Sequence, residues 1–390
     1  MRTALMTGAT GFVGRVFTRA LLHEYPELEV WALVRGKDGA PPTQRPELGD
    51  LVGHPRFHVV EGDVTLAGLT SESRGDVRGI PGRLDACFHL AAKTDFKESR
   101  RSETFQANLE GTRNLVAFLQ RLERPCRLFH VSTAYVAGVR PGETVREEVL
   151  GPAPRYCNPY EESKYAAELL VATSGLDWTI VRPSIIVGDS QSGAAESDKM
   201  IYGALKVLSR FQGMLVSKYG PSGMMAIPPG AFAVLGHEDV AKNLICVDDL
   251  IRLMLAVVRG GPRPGLVFHL VNPRTVSVRV LYSTMVELLG ITCLRLAPSL
   301  PASLSEEEQA LRHGIEVYEP YIFSQEPVFD TSRTRSLLGD AAVDHTLELD
   351  RERLRFLLGE HIRRRLDAPV NTPAPADGGP ARARAAMAAR

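Results

Sequence analysis

Apolar residues recur along the chain in two alternating rhythms. Short β-branched or aliphatic runs at 3–6, 29–34, 57–60, 86–90, 127–131, 178–181 and 267–271 read as strands. Between the first two, Val13, Val16, Phe17, Ala20 and Leu21 return at helical spacing, and residues 105–122 and 160–173 behave the same way. Parallel strands need crossover helices and right-handed connections, so the pattern predicts an α/β fold built on a doubly wound parallel sheet, with its ligand at the carboxyl ends of the strands. From about 189 to 238 the rhythm gives way to Gly-, Ser- and Met-rich sequence, read as long irregular pieces lying over the site, before order resumes at 243–257. Further on, 278–289 and 351–365 read as helices.

This division predicts a cofactor-binding domain from 1–188 plus 243–272 and a smaller mixed, mainly helical substrate-binding cap from 189–242 plus 273–365. The Ala-, Pro-, Gly- and Arg-rich stretch 366–390 holds almost no large apolar residue and reads as a disordered tail. Charge narrows the partners. The 46 Lys and Arg balance the 46 Asp and Glu, which argues against nucleic acid and anionic membranes as partners. No run of some eighteen apolar residues exists to span a membrane, and Met1 leads straight into a strand, so a soluble, cytoplasmic chain is expected, as a monomer or homodimer. The five cysteines are far apart without a CxxC pair, which fits free thiols and no metal site.

The chemistry begins at residues 7–14, TGATGFVG, between the first strand and the first helix. Gly8, Gly11 and Gly14 stand where a tight turn, close phosphate approach and helix packing each exclude a side chain, a Rossmann dinucleotide site with the pyrophosphate at the helix N-terminus. At the end of the second strand, where an NAD site carries an acidic residue, Arg35 stands instead. With Lys37 and Arg15 it suits a 2′-phosphate, which predicts NADP(H). Asp63 and Val64, ending the third strand, are placed for the adenine edge, and Leu90, Ala91 and Ala92 allow close backbone approach.

Tyr160 and Lys164 form YxxxK at the start of a helix, where an offset of four puts phenol and ammonium on one face. An adjacent ammonium favours the phenolate and suits the tyrosine to proton transfer. Upstream, 131–138 (VSTAYVAG) ends the fifth strand and offers a hydroxyl to a carbonyl oxygen from Thr133 or Ser132. Tyr135 reads as packing. His89, His130 and His269 read as core groups, His237 as a loop residue, and Asp248 and Asp249 as helix-capping carboxylates.

Together these residues resemble the extended short-chain dehydrogenase/reductase family over residues 1 to about 365. Finer features are similar to the branch of fatty acyl-CoA reductases, male-sterility proteins and terminal thioester reductases: GDVTLAGLT at 62–70, FHLAAKTDF at 88–96, HVSTAYV at 130–136 and RPSIIVGDSQSG at 182–193. NLICVDDL at 243–250 and FHLVNP at 268–273 are similar too, although Cys246 stands where the branch often has proline, and 190–237 matches none of its patterns.

The resemblance implies Thr133, rather than Ser132, as the carbonyl donor beside Tyr160 and Lys164. It adds Thr10, Phe12, Val13, Asn108, Pro183 and Ile185 to the cofactor site. It implies hydride reduction of a small-molecule acyl or carbonyl substrate, a thioester on coenzyme A or an acyl carrier protein, to aldehyde or on to alcohol. Residues 329–335 (FDTSRTR) read as a segment closing over that substrate, its arginines near a coenzyme A phosphate. The alternative is a dehydrogenase, reductase or epimerase of the same architecture acting on a ketone, hydroxyl or sugar nucleotide. A non-catalytic NADP sensor is the reading from a different class; the retained threonine, tyrosine and lysine argue against it.

Overall fold

The computed structural model describes residues 1–70, 77–153, 155–261 and 264–365. The expected tail at 366–390 lies outside the described residues. The chain opens with β1 (Thr3–Thr7), α1 (Phe12–Glu24), β2 (Glu29–Val34), β3 (Phe57–Glu61) and β4 (Ala86–His89). It continues through α2 (Arg101–Phe105), α3 (Gly111–Gln120), β5 (Arg127–Val131), β6 (Thr144–Val145), α4 (Pro159–Ala172), β7 (Trp178–Pro183) and β8 (Ile185–Val187). Next come α5 (Ile201–Ala226), β9 (Phe232–Leu235), β10 (Ala241–Cys246), α6 (Val247–Arg259), β11 (Leu266–Leu270) and β12 (Thr275–Ser277). The remainder is α7 (Val278–Leu288), β13 (Leu294–Ala297), α8 (Glu306–Ile315), α9 (Glu319–Phe323), β14 (Val328–Phe329), α10 (Ser332–Leu338), α11 (Asp340–Asp344) and α12 (Arg351–Arg365).

Seven strands form one sheet in the order β11-β7-β5-β4-β1-β2-β3, and every pairing within it is parallel. All seven runs expected as strands are its members. Such a sheet is buried on both faces, which is why its strands read as nearly continuous apolar runs. In β1, Ala4 and Met6 pack with Phe17 and Leu21 of α1 and Leu250 and Met254 of α6. Leu5 points the other way, into a core with Leu115 and Leu119 of α3 and Val171 of α4. The chain runs from β1 outward to β3, then returns to β4 on the opposite side of β1, which opens a crevice at the carboxyl ends of β1 and β4.

A third core joins α5, α7, α8 and α12 to a small sheet in the order β12-β10-β8. Here the structure corrects the expectation of irregular sequence between 189 and 238. Ile201, Leu205, Leu208, Gln212 and Leu215 fall on one buried helical face, and the helical stretch bends only at Gly220, whose φ is +72° and which Pro221 follows. Glycine and methionine content disguised the period, since methionine fills irregular core space as readily as it marks loops. Asp248 and Asp249 do more than sit in the first turn of α6. Asp248 accepts from the Ser190 amide (2.9 Å) and hydroxyl (2.6 Å), and Asp249 from the Leu347 amide (2.8 Å), so two distant segments are tied to one helix end.

Candidate active site

The glycine turn after β1 is built by contact. Gly8 has φ +78°, and a Cβ on it would lie 2.6 Å from the Leu90 carbonyl carbon and the Ala91 nitrogen, so the backbone just past β4 lies directly over the turn. A Cβ on Gly14 would lie 2.1 Å from the Gly8 carbonyl oxygen. Gly11 is less confined and faces the crevice, where a dinucleotide phosphate needs room. Gly14→Ala is therefore expected to destabilise the fold by about 1–3 kcal/mol through overpacking, read by urea unfolding; an unchanged midpoint would mean that the turn has slack the contacts do not show.

The crevice is a cavity of about 380 Å³ that runs from this turn to the end of β5 and the start of α4. Asn158 caps α4, its Oδ1 accepting from the Glu161 amide at 3.1 Å, with Pro159 at the first helical position. That start presents Tyr160 and, one turn on, Lys164 to the cavity. Thr133 caps the turn after β5, where its Oγ1 accepts from the Tyr135 amide at 3.3 Å. Burial pushes the Tyr160 phenol up to about 12; the Thr133 and Thr94 hydroxyls pull against this and the Glu161 carboxylate adds to it. Lys164 is not the neighbour that tunes it here. Its ammonium donates to the Val131 carbonyl at 2.9 Å and lies 3.3 Å from His130 Nε2, and burial lowers it to about 8, with Glu168 opposing. With burial raising the phenol and the ammonium drawn toward Val131, Tyr160 is placed as a proton donor to the cavity.

Gly8, Gly11, Phe12, Val13, Gly14, Leu90, Ala92, Thr133, Tyr160, Lys164, Pro183 and Ile185 line this one cavity. Thr10, Ala91, Asp63, Val64 and Asn108 are off its wall. Asp63 accepts from the Thr65 amide (2.9 Å) and hydroxyl (2.8 Å), while Val64 packs where a Gly111 Cβ would be. Asn108, in a π turn at Gln106–Glu110, clamps the Lys93 backbone and donates to Ser163 at 2.9 Å, bracing α4. Arg15 is buried against the Glu47 carbonyl (3.1 Å) and the Glu196 carboxylate; Arg35 stays exposed with Asp63 at 3.4 Å.

Several lining residues escaped the sequence reading. Thr94, Phe96, Ser184, Tyr321 and the stretch 196–200 all face the cavity, and Tyr135 does as well, its hydroxyl donating to Glu326. Ser132 and Ser184 carry buried hydroxyls without a partner there, and the glycine cradle lies beside them, so the residues present fit a polar dinucleotide. The arginines of 329–335 point elsewhere. Arg333 donates to the Glu147 carbonyl, Arg335 pairs with Asp340 (3.3 Å) and Asp344 (2.9 Å), and neither lines the cavity.

A dinucleotide crevice at the switch point of a doubly wound sheet, ending on a buried Thr and Lys and a half-buried Tyr, defines a protein of the extended short-chain dehydrogenase/reductase class, with a nicotinamide cofactor. More narrowly, the chain belongs to the male sterility protein family, whose NAD-binding model matches residues 6–233. It is 27% identical over 300 residues to fatty acyl-CoA reductase 1 of Xenopus laevis, an alignment covering 65% of this chain and 54% of that protein. The chain thus spans about half the length of the curated relatives it matches. Among solved structures, the terminal R domain of the myxalamid PKS-NRPS pathway superposes with a TM-score of 0.72 at 25% identity, covering 95% of this chain and 93% of that one. A dTDP-glucose 4,6-dehydratase from Streptomyces venezuelae, 23% identical with a TM-score of 0.63 over 93% of this chain and 98% of its own, shares the fold. Among the described residues no helix is long and apolar enough to cross a membrane.

Proposed function

We propose that this chain is an NADP(H)-dependent reductase of acyl thioesters, carried on coenzyme A or a carrier protein, to the aldehyde or, by a second hydride, on to the alcohol. The observation that carries this reading is a Thr133 hydroxyl beside the Tyr160 phenol, in a cavity that starts at the glycine turn and adjoins a second, apolar cavity. In this reading 1–188 plus 243–272 hold the cofactor and 189–242 plus 273–365 cover the substrate. The fatty acyl-CoA reductases among its relatives and the terminal R domain support the substrate class.

Gly8, Gly11 and Gly14 leave room for the pyrophosphate, and Lys164 and the unpartnered Ser132 and Ser184 hydroxyls lie along the cavity toward the nicotinamide end. When bound, the reduced nicotinamide supplies the hydride. Thr133 and Tyr160 donate hydrogen bonds to the substrate carbonyl oxygen, stabilising charge that develops there, and the Tyr160 hydroxyl delivers the proton. The resulting hemithioacetal collapses to aldehyde and free thiol. The Lys164 ammonium, held by the Val131 carbonyl, supplies positive potential beneath the site. The test follows NADPH absorbance and thiol release together on acyl-CoA, aldehyde and ketone panels. Thiol release in step with NADPH loss supports the reading; turnover of ketones or aldehydes alone would replace it with a dehydrogenase.

Arg35 is the exposed cation at the end of β2, free to turn from Asp63 toward a 2′-phosphate. Arg35→Ala is expected to cut the NADPH-over-NADH affinity ratio about tenfold by calorimetry, the size of one charged hydrogen bond. An unchanged ratio would shift the assignment to Arg15.

A further inference from the structure

Behind the catalytic cavity lies a second cavity of about 80 Å³, walled by Ala204 and Leu208 of α5, Leu281 and Met285 of α7, Ile315 and Ile322. Its one charged lining residue, Lys242, is occupied by the Ser324 carbonyl (2.9 Å) and Glu326 (3.5 Å), and the wall is otherwise aliphatic and aromatic, with the Tyr282 hydroxyl buried there without a partner. Only Ile185, Met200 and Tyr321 line both cavities. Tyr321 is the largest of the three, 6% exposed, with its ring 5.7 Å from Phe96 and 5.6 Å from Tyr135.

Its hydroxyl is latched. It donates to Glu161 Oε1 at 2.6 Å and accepts from Asn158 Nδ2 at 2.5 Å. Both partners belong to the cap of α4, since Asn158 Oδ1 holds the Glu161 amide at 3.1 Å and Glu161 Oε2 takes the Cys157 amide at 2.8 Å. The partition between the cavities is therefore fixed to the start of the helix that carries Tyr160, and moving the ring means breaking two hydrogen bonds to a buried carboxylate and amide.

We propose that Tyr321 is a specificity-determining residue, a latched partition that keeps short acyl chains in the catalytic cavity and admits the tail of a longer chain to the apolar cavity only when its ring moves aside. This rests on the thioester-reductase reading for its substrate, and on the two cavities for its geometry. The test compares decanoyl-CoA with butanoyl-CoA in the wild type, Tyr321→Ala, Tyr321→Phe and Ala204→Phe. Tyr321→Ala joins the cavities and raises the decanoyl-to-butanoyl ratio of kcat/KM about tenfold, the gain of roughly two buried methylenes. Tyr321→Phe keeps the ring and loses the latch, so the ratio rises about threefold, through the KM for decanoyl-CoA. Ala204→Phe fills the tail cavity and lowers the ratio, and carries the test should Tyr321→Ala not fold.

An equilibrium arm measures the rise in Tm given by 1-decanol relative to 1-butanol in the same variants, without turnover. Ratios that do not move in either arm overturn the partition. A shifted alkanol preference without thiol release from any thioester keeps the partition and removes the thioester reading; thiol release with unmoved ratios does the reverse.

Discussion

Tyr160→Phe is expected to lower kcat/KM by about 10²- to 10⁴-fold, the range associated with removing a positioned proton donor, while the Kd for NADPH changes less than twofold. The ring of Tyr160 stays packed edge-on against Phe96, 6.0 Å between centroids, so the substitution removes one oxygen and leaves the wall intact. The pH profile separates the two members of the pair. With the phenol near 12, Tyr160 remains a donor throughout the neutral range and contributes no limb there. Lys164, lowered to about 8, loses its charge as pH rises through that value, so reduction should decline above about pH 8. A decline that persists in Tyr160→Phe belongs to the lysine; an activity loss below about threefold in Tyr160→Phe would take the tyrosine out of the mechanism.

The largest stability effect is expected at Arg182, the next-to-last residue of β7. Its side chain is fully buried, with Nε and Nη2 on the Glu168 carboxylate at 2.9 and 2.6 Å, Nη2 on the Glu148 carbonyl at 2.9 Å, and Nη1 3.3 Å from His269 Nε2. Because His269 Nδ1 donates to the Asp330 carbonyl at 2.6 Å, Nε2 is left as an acceptor for the guanidinium; burial, with Arg182 beside it, brings this imidazole down to about 4 and keeps it neutral. Arg182→Met strands Glu168 inside the protein and should cost about 3–5 kcal/mol in urea unfolding. The double variant Arg182→Met with Glu168→Leu should recover most of that loss, because an apolar pair of similar volume replaces an ion pair whose desolvation is costly. A double variant no more stable than the single would mean that the carbonyl and histidine contacts, and not the charge pair, carry the effect.

The parts legible in the sequence are those whose signal is local. Seven strands could be read because burial on both faces makes each a short apolar run, and the glycine turn because Gly8 and Gly14 answer to contacts within their own unit. The YxxxK spacing places Tyr160 and Lys164 on one helix face, yet it carries no information about the Val131 carbonyl that draws the ammonium aside. Glu161 fills a spacer position of that motif. Its burial follows from Tyr321, 160 residues further on, and desolvation lifts its carboxyl to about 7 against the pull of the Tyr321 hydroxyl. Tyr135 offers the same lesson: as an aromatic residue after a strand it reads as packing, and only Glu326, arriving from the far end of the chain, turns it into part of a buried polar network. The helix at Ile201–Ala226 was hidden for a different reason, since its glycines and methionines weaken the period that its buried face obeys.

The order in which the main sheet is assembled has a consequence for how the protein is made. Its edge strand β11, Leu266–Leu270, comes from chain synthesised after the long α5, and it pairs with β7 from Thr179 on. A ribosome must therefore deliver α5, β9, β10 and α6 before the sheet can close, and the apolar flank of β7 stays uncovered during that interval. A nascent chain that ends between residues 190 and 265 therefore lacks the strand that covers this edge of β7, and such arrested chains are where a chaperone should be found bound.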